Sequence, residues 1–217
     1  MPNRFSIAID GPSGAGKSTI ARAVAQKLSI DYIDTGAMYR AVGYKMDRDG
    51  VPFEQGEALN KMLVETDIDF AGGNIILDGE SVNDLIRTPE VSMLASQCSS
   101  IRAVREKLVD IQRNMAARKS VIMDGRDIGT NVLKDAEVKL FLTASAEERA
   151  DRRFKELREK GEKQSYEEVL ADIKARDRND MTRELNPLRK ADDAIELDTT
   201  GMRIEEVVQR VIGYVQT

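Results

Sequence analysis

The chain has 217 residues, 33% charged and 41% hydrophobic, which suits one large soluble domain or a domain with an insert. A net charge of −5, the absence of any apolar run near the ~20 residues that span a bilayer, and a start, Met1-Pro2-Asn3-Arg4, that leads into a strand make nucleic-acid partners, membrane partners and a leader segment unexpected. Cys98 is the only cysteine, which excludes an intrachain disulfide and suggests the cytoplasm, and the lack of any histidine excludes histidine acid–base chemistry and histidine-bound zinc.

Phe5-Ser6-Ile7-Ala8-Ile9-Asp10 reads as a buried strand, and Lys17 to Leu28 as a helix. Between them lies Gly11-Pro12-Ser13-Gly14-Ala15-Gly16-Lys17-Ser18-Thr19, which fits the phosphate-loop pattern G-x-x-x-x-G-K-[ST]. Glycines let backbone approach a phosphate, and the loop amides with the helix N-terminus aim partial positive charge at it. Lys17 can then reach the terminal phosphates and Ser18 can sit on Mg²⁺.

Asp31-Tyr32-Ile33 predicts a second strand, and Asp34-Thr35-Gly36-Ala37-Met38-Tyr39-Arg40 a helix start carrying hydroxyl donors and an arginine one turn on. The stretch from Pro52 to Pro89 changes character. Ile68-Asp69-Phe70, Ile75-Ile76-Leu77 and Glu80-Ser81-Val82 are separated by Gly72-Gly73 and Asp78-Gly79, predicting a three-stranded antiparallel meander. Thr88-Pro89-Glu90 predicts a capped helix start, with Cys98 on an apolar face beside Val91, Leu94 and Ala95. Ile101, Val104, Leu108, Ile111 and Met115 share a face of the next helix.

Ser120 to Met123 predicts a third core strand that runs into Asp124-Gly125-Arg126-Asp127. There Asp124 occupies the place of an acid that holds Mg²⁺ or its waters, and Arg126 and Asp127 fall at the ligand-binding edge of an open α/β sheet. A polar turn is the alternative reading. Val138 to Leu142 and Ala194 to Leu197 complete five parallel strands, giving a three-layer α/β class. Ser145 with Glu148 and Ser165 with Glu168 are capping-box signatures. Arg149, Arg152 and Arg153 share a helix face within the charge-rich segment from Asp151 to Glu162, which also suits a solvated helix. The second capped helix runs towards Arg176, Asp180 and Arg183, with Asp180 expected just beyond its end. Ile204, Val207, Val208, Val211, Ile212 and Val215 have the spacing of a C-terminal helix packed on the sheet.

In sequence order, Asp10 to Lys17, Asp34 to Arg40, Ala95-Ser96-Gln97, Val104-Arg105-Glu106, Asp124 to Thr130, Ser145 to Arg153 and Pro187 to Ala194 resemble the bacterial cytidylate kinases over about Phe5 to Val211. The resemblance implies a P-loop core at 1–51 and 99–217, an inserted nucleoside-monophosphate-binding subdomain at 52–98 and a helical lid at about 145–162. It implies transfer of the γ-phosphoryl group of ATP to CMP or dCMP, with Mg²⁺, by a cytoplasmic monomer in pyrimidine nucleotide metabolism. Gly11, Pro12, Ser13, Gly14, Ala15, Gly16, Lys17, Ser18 and Thr19 would cradle the ATP phosphates, and Lys17, Arg126 and Arg183 would serve the transfer itself. Thr35 and Arg40 match an acceptor-site hydroxyl and a phosphate-binding arginine, although many bacterial members have serine at Thr35. Ser96, Arg105 and Asp127 match cytosine-contacting positions, Arg126, Arg176 and Arg183 arginines around the acceptor, and Asp180 a sugar-contacting acid. Arg149, Arg152 and Arg153 fall in the lid, and Ser18 and Asp124 at the metal.

Two rivals follow from the phosphate loop alone. A kinase for another small acceptor, such as UMP, shares the fold. A GTPase switch is the more distant one: Asp47-Arg48-Asp49-Gly50 fits D-x-x-G, but no strand precedes it, and Asn60-Lys61-Met62-Leu63 lacks the acid of a guanine-reading N-K-x-D.

Overall fold

A computed structural model describes residues 4–159 and 161–215. Met1–Asn3, at the expected approach to the first strand, and Lys160, in the expected lid, lie outside the described residues. In chain order the elements are β1 (Ser6–Asp10), α1 (Lys17–Leu28), β2 (Asp31–Asp34), α2 (Thr35–Arg48), α3 (Glu57–Val64), β3 (Ile68–Ala71), β4 (Asn74–Leu77), β5 (Glu80–Ser81), α4 (Pro89–Cys98) and α5 (Arg102–Arg118). They continue with β6 (Val121–Gly125), a π-helical turn (Ile128–Val132), β7 (Val138–Thr143), α6 (Ala146–Glu159), α7 (Tyr166–Thr182), β8 (Ile195–Asp198) and α8 (Ile204–Val215). The chain divides into two compact units, Met1–Tyr32 with Ser120–Thr217, and Ile33–Lys119.

The first unit is organised by a five-stranded sheet of order β2-β6-β1-β7-β8. β1 is central and pairs in parallel with β6 (Ile9 opposite Asp124) and β7 (Ile9 opposite Leu140). Its Ile7, Ala8 and Ile9 are fully buried, as expected of a parallel strand covered on both faces. Ile7, Ile9, Leu140 and Leu142 form one core with Ile20 and Val24 of α1 and Val207, Val208 and Val211 of α8. Each such side chain, fully buried, contributes roughly 1.5–3 kcal/mol. α8 therefore covers the sheet as its spacing predicts, except that Ile204 at its first turn is half exposed. α6 and α7 form a hairpin over a smaller core of Ala150, Leu157, Val169 and Ile173, extended by an edge-on contact of Phe154 with Tyr166. The reciprocal Ser165–Glu168 capping box starts α7 as predicted, but the helix continues through Thr182 and takes Asp180 into its last turn rather than leaving it beyond.

In the second unit, β3, β4 and β5 form the predicted antiparallel meander. Asp78, in the turn after β4 at φ 52°, is paired with buried Lys45 of α2 at 2.6 Å. Thr88 caps α4 by accepting from Val91 N at 3.2 Å, with Pro89 in the first turn. α2 crosses α4 closely: a Cβ on Gly43 would meet Ala95 N and Leu94 C at 3.0 Å. Cys98, fully buried, faces the Tyr39 carbonyl at 3.4 Å, and burial pushes its thiol up to about 12. The buried face of α5 runs through Val104, Arg105, Leu108, Val109 and Gln112, leaving the expected Ile111 and Met115 half-buried at its margin.

Candidate active site

The phosphate loop leaves β1 through Gly11, whose φ of 146° and closeness to the Leu142 carbonyl exclude any other residue: a Cβ there would sit 2.1 Å from that oxygen. Gly14 and Gly16 also have positive φ, and Gly16, as the N-cap, offers no side chain to the first amides of α1, which stay available to an anion. Lys17 is buried, and its Nζ donates to the Pro12 carbonyl at 2.7 Å. Burial, and then Arg126, lower its pKa to about 7 against the pull of Asp124, Asp10 and Asp180. The Ser18 hydroxyl donates to Asp124 Oδ2 at 2.8 Å, and Tyr32 Oη donates to Asp124 Oδ1 at 2.9 Å. The expected hydroxyl and carboxylate thus stand side by side.

An open cavity of about 450 Å³ lies along this loop, lined by Gly14 to Ile20, by Arg149, Arg152 and Arg153 of α6, and by Thr199 and Met202. Its size suits a nucleotide-scale ligand. The three arginines differ in their engagements. Arg149 is buried; its Nη1 and Nη2 donate to Asp177 at 3.1 and 2.6 Å, Nη1 also to the Ser13 carbonyl at 2.9 Å, and Nε to the Ala144 carbonyl at 3.0 Å. Arg152 pairs with Glu148, and Arg153 with Glu156 at 3.3 Å, both within α6 and partly exposed. Asp177 is a partner that the sequence does not announce.

Beyond the carboxyl ends of β1 and β6 the charges alternate. Arg126 Nε donates to Asp180 Oδ2 at 2.7 Å, and Arg183 Nη2 donates to Asp127 Oδ1 at 3.1 Å. Arg183 also bonds the Asn186 carbonyl through Nε and Nη2, at 2.8 and 2.6 Å, and Asn131 Nδ2 donates to Asp127 Oδ2 at 3.0 Å. Burial alone would raise the Asp180 pKa, but Arg126, with Arg176 and Arg183, outweighs it and holds the carboxyl below its ordinary value. Asp10 accepts from Ile128 N and Gly129 N, both at 2.8 Å; burial raises it to about 6 against these two bonds. Asp10 and Asn131 were not singled out from sequence, although an acid ending the run Ile7-Ala8-Ile9 is an anomaly that marks Asp10.

The second unit holds the remaining expected residues. Asp34 caps α2 by accepting from Ala37 N at 2.8 Å and pairs with Arg40 Nη2 at 3.2 Å, so the Arg40 guanidinium lies against the first turn near buried Thr35. The buried Nε of Arg40 has no hydrogen-bond partner among the described residues. Arg105 is buried, lies 5.6 Å over the Tyr39 ring and donates to the Ser99 carbonyl at 3.2 Å. Ser96 is half-buried on α4.

Residues 7–217 match the family model described as cytidylate kinase. The chain belongs to the cytidylate kinase family. It is 56% identical over 213 residues to a cytidylate kinase of Caldicellulosiruptor saccharolyticus, covering 96% of this chain and 94% of that one. It is 52% identical over 216 residues to one of Clostridium perfringens, covering both chains completely. Among solved structures, TT1252 from Thermus thermophilus shares the fold with a TM-score of 0.51 at 19% identity, over 98% of this chain and 96% of that one. The family's members are kinases, and the phosphate loop, the Ser18–Asp124 pair and the arginine-lined cavity are the parts such an enzyme needs.

Proposed function

We propose that this chain transfers the γ-phosphoryl group of ATP to CMP or dCMP, giving CDP or dCDP. The observation that carries the reading is the buried trio Asp124, Asp127 and Asp180 with half-buried Arg126 and Arg183 beside them, standing in the same unit as the phosphate loop and acting electrostatically on Lys17 through Asp124, Arg126 and Asp180. Gly11 to Thr19, with Arg149, Arg152 and Arg153, serve the triphosphate. Thr35 and Arg40 serve the acceptor phosphate, for which the unpartnered Arg40 Nε is a ready donor. Ser96, Arg105 and Asp127 read cytosine. Its N4 amine suits the Asp127 carboxylate, and its N3 and O2 suit Arg105 and Ser96. Uracil inverts the polarity at two of these positions. Asp180 serves the sugar, and Arg126, Arg176 and Arg183 the acceptor and the transferring group.

Mg²⁺ fits this donor set: a hard hydroxyl and a hard carboxylate at 2.8 Å, with no cluster of three or more acidic, cysteine or histidine side chains among the described residues, suit an ion completed by waters and nucleotide oxygens. Ser18 and Asp124 would hold it, and when bound it neutralises charge on the phosphates. Lys17, Arg126 and Arg183 offset the repulsion of two phosphorylated anions. The attacking phosphate oxygen is anionic near neutral pH, so no general base is needed and the absence of histidine costs nothing. We place the protein in the cytoplasm as a monomer; no helix among the described residues is long and apolar enough to cross a membrane. The test is a coupled assay with ATP across the nucleoside monophosphates. CMP and dCMP should be turned over well ahead of UMP; a preference for UMP would refute the acceptor assignment.

A further inference from the structure

Asp127 is the N-cap residue of the π-helical turn Ile128–Val132, yet its side chain makes no capping bond to that turn. Caps normally come from that position. Here the capping oxygens come from another strand: Asp10 Oδ1 takes Ile128 N and Oδ2 takes Gly129 N, each at 2.8 Å. The carboxylate lies within van der Waals reach of the turn: a Cβ on Gly129 would sit 3.4 Å from Asp10 Oδ2, beside Lys139 Cδ at 3.3 Å. With the cap supplied by Asp10, the Asp127 oxygens accept from side chains, Oδ1 from Arg183 Nη2 at 3.1 Å and Oδ2 from Asn131 Nδ2 of the same turn at 3.0 Å. A π-helical turn places the backbone unusually: the Asp127 carbonyl accepts from both Asn131 N at 3.0 Å and Val132 N at 3.3 Å.

We infer that Asp10 is a positioning residue for acceptor specificity: by capping the turn in place of Asp127, it releases and aims the Asp127 carboxylate at the base of the acceptor nucleotide. The inference rests on reading Asp127 as the cytosine-reading acid. Aspartate is the side chain that suits the task, since one short stem must present two acceptors to two adjacent amides. Asparagine keeps one of these bonds and turns a donor towards the second amide. Such a variant favours recruitment of Asp127 as a local cap and its loss to the ligand.

The test is steady-state kinetics of Asp10→Asn with CMP, UMP and ATP, beside Asp127→Asn and the wild type. Asp10→Asn should raise the KM for CMP about tenfold, the loss of roughly one hydrogen bond. It should shrink the CMP-over-UMP ratio of kcat/KM by a similar factor and leave the KM for ATP within about twofold. Asp10→Glu, which keeps both acceptor oxygens but lengthens the stem that aims them, provides a second variant should Asp10→Asn fail to fold; it should move the same ratio in the same direction by about two- to fivefold. If Asp127→Asn relaxes the preference for CMP while folded Asp10→Asn or Asp10→Glu keeps it, Asp10 merely supports the fold and the inference is overturned. If Asp127→Asn itself leaves the preference unaltered, the cytosine-reading role of Asp127 falls, and the inference falls with it.

Discussion

Asp180→Ala probes the acceptor side of the site most directly. In the wild type its carboxylate accepts from Arg126 Nε at 2.7 Å, and the two side chains are only 10% and 18% exposed. Removing one partner of a fully buried pair costs ~3–5 kcal/mol. Arg126 keeps its bond to the Gly125 carbonyl at 3.3 Å and some contact with water, which brings the expected loss of stability to about 2 kcal/mol. Asp180→Asn, which retains an acceptor for Nε, should lose about 1 kcal/mol. The catalytic effect is separate. A charge-assisted bond to a sugar hydroxyl is worth ~1.5–3 kcal/mol, so the KM for CMP and for dCMP should both rise about 10- to 100-fold in Asp180→Ala. Both should rise because the released Arg126 serves the acceptor whichever sugar that acceptor carries. The KM for ATP should change little.

The sign of the pH effect follows from the lowered pKa of Asp180. Its stabilising contribution is complete above the ordinary value of 3.8 and is lost as the pH falls through the lower folded value. The stability gap between wild type and Asp180→Ala should therefore close in acid. Denaturant unfolding and a coupled kinetic assay with CMP, dCMP and ATP supply both readouts. Unchanged KM values for both acceptors in a folded variant would refute the reasoning and leave Asp180 as a partner of Arg126 only.

Lys17→Ala should retain native circular dichroism, since among the described residues the side-chain bond lost is the one to the Pro12 carbonyl, and should lower turnover with ATP and CMP by more than about a hundredfold. Arg152→Ala and Arg153→Ala should lower kcat more than they raise either KM, whereas Arg149→Ala should also lose about 3 kcal/mol in urea unfolding by leaving Asp177 without its bidentate partner. For Asp10 the folded pKa is raised, from 3.8 to about 6, so its contribution to stability is complete below 3.8 and declines by about 3 kcal/mol as the pH rises through 6. Comparison of Asp10→Asn with wild type by urea unfolding from pH 4 to 7.5 should show the difference between them shifting towards the variant over that window; a constant difference would refute the buried-acid account.

The elements that were legible in the sequence are those fixed by local chemistry. The parallel strands announce themselves as short apolar runs such as Val138 to Leu142, the meander by Gly72-Gly73 and Asp78-Gly79, and the helix starts by Thr88-Pro89 and by Ser165 with Glu168. The phosphate loop and the Ser18–Asp124 partnership are legible for the same reason, because each follows a strand end. What stayed hidden depends on long-range pairing. Arg149 and Asp177 are 28 residues apart, Asp10 and Gly129 are 119 apart, and no spacing rule connects them. The helical period allowed Ile111 or Val109 on the inner face of α5, and only tertiary packing selected Val109. The reach of α7 past Asp180 is not legible because the run Arg176 to Arg183 holds one apolar residue, the exposed Met181, and gives no apolar stripe to follow.

Cys98 gives this protein a reporter that needs no engineering. It is the only thiol in the chain, fully buried where α4 packs against α2, and its pKa of about 12 leaves almost no thiolate at neutral pH. An alkylating reagent can therefore reach it only when that packing opens. The rate of labelling becomes a clock for the opening of the second unit, read on the unmodified protein and in the presence of any nucleotide. Slower labelling with CMP than with ATP would assign the tightening of α2 against α4 to the acceptor. Because the native thiol is silent in the closed state, one cysteine introduced on the exposed side of α6 would carry a fluorescent label at a single position.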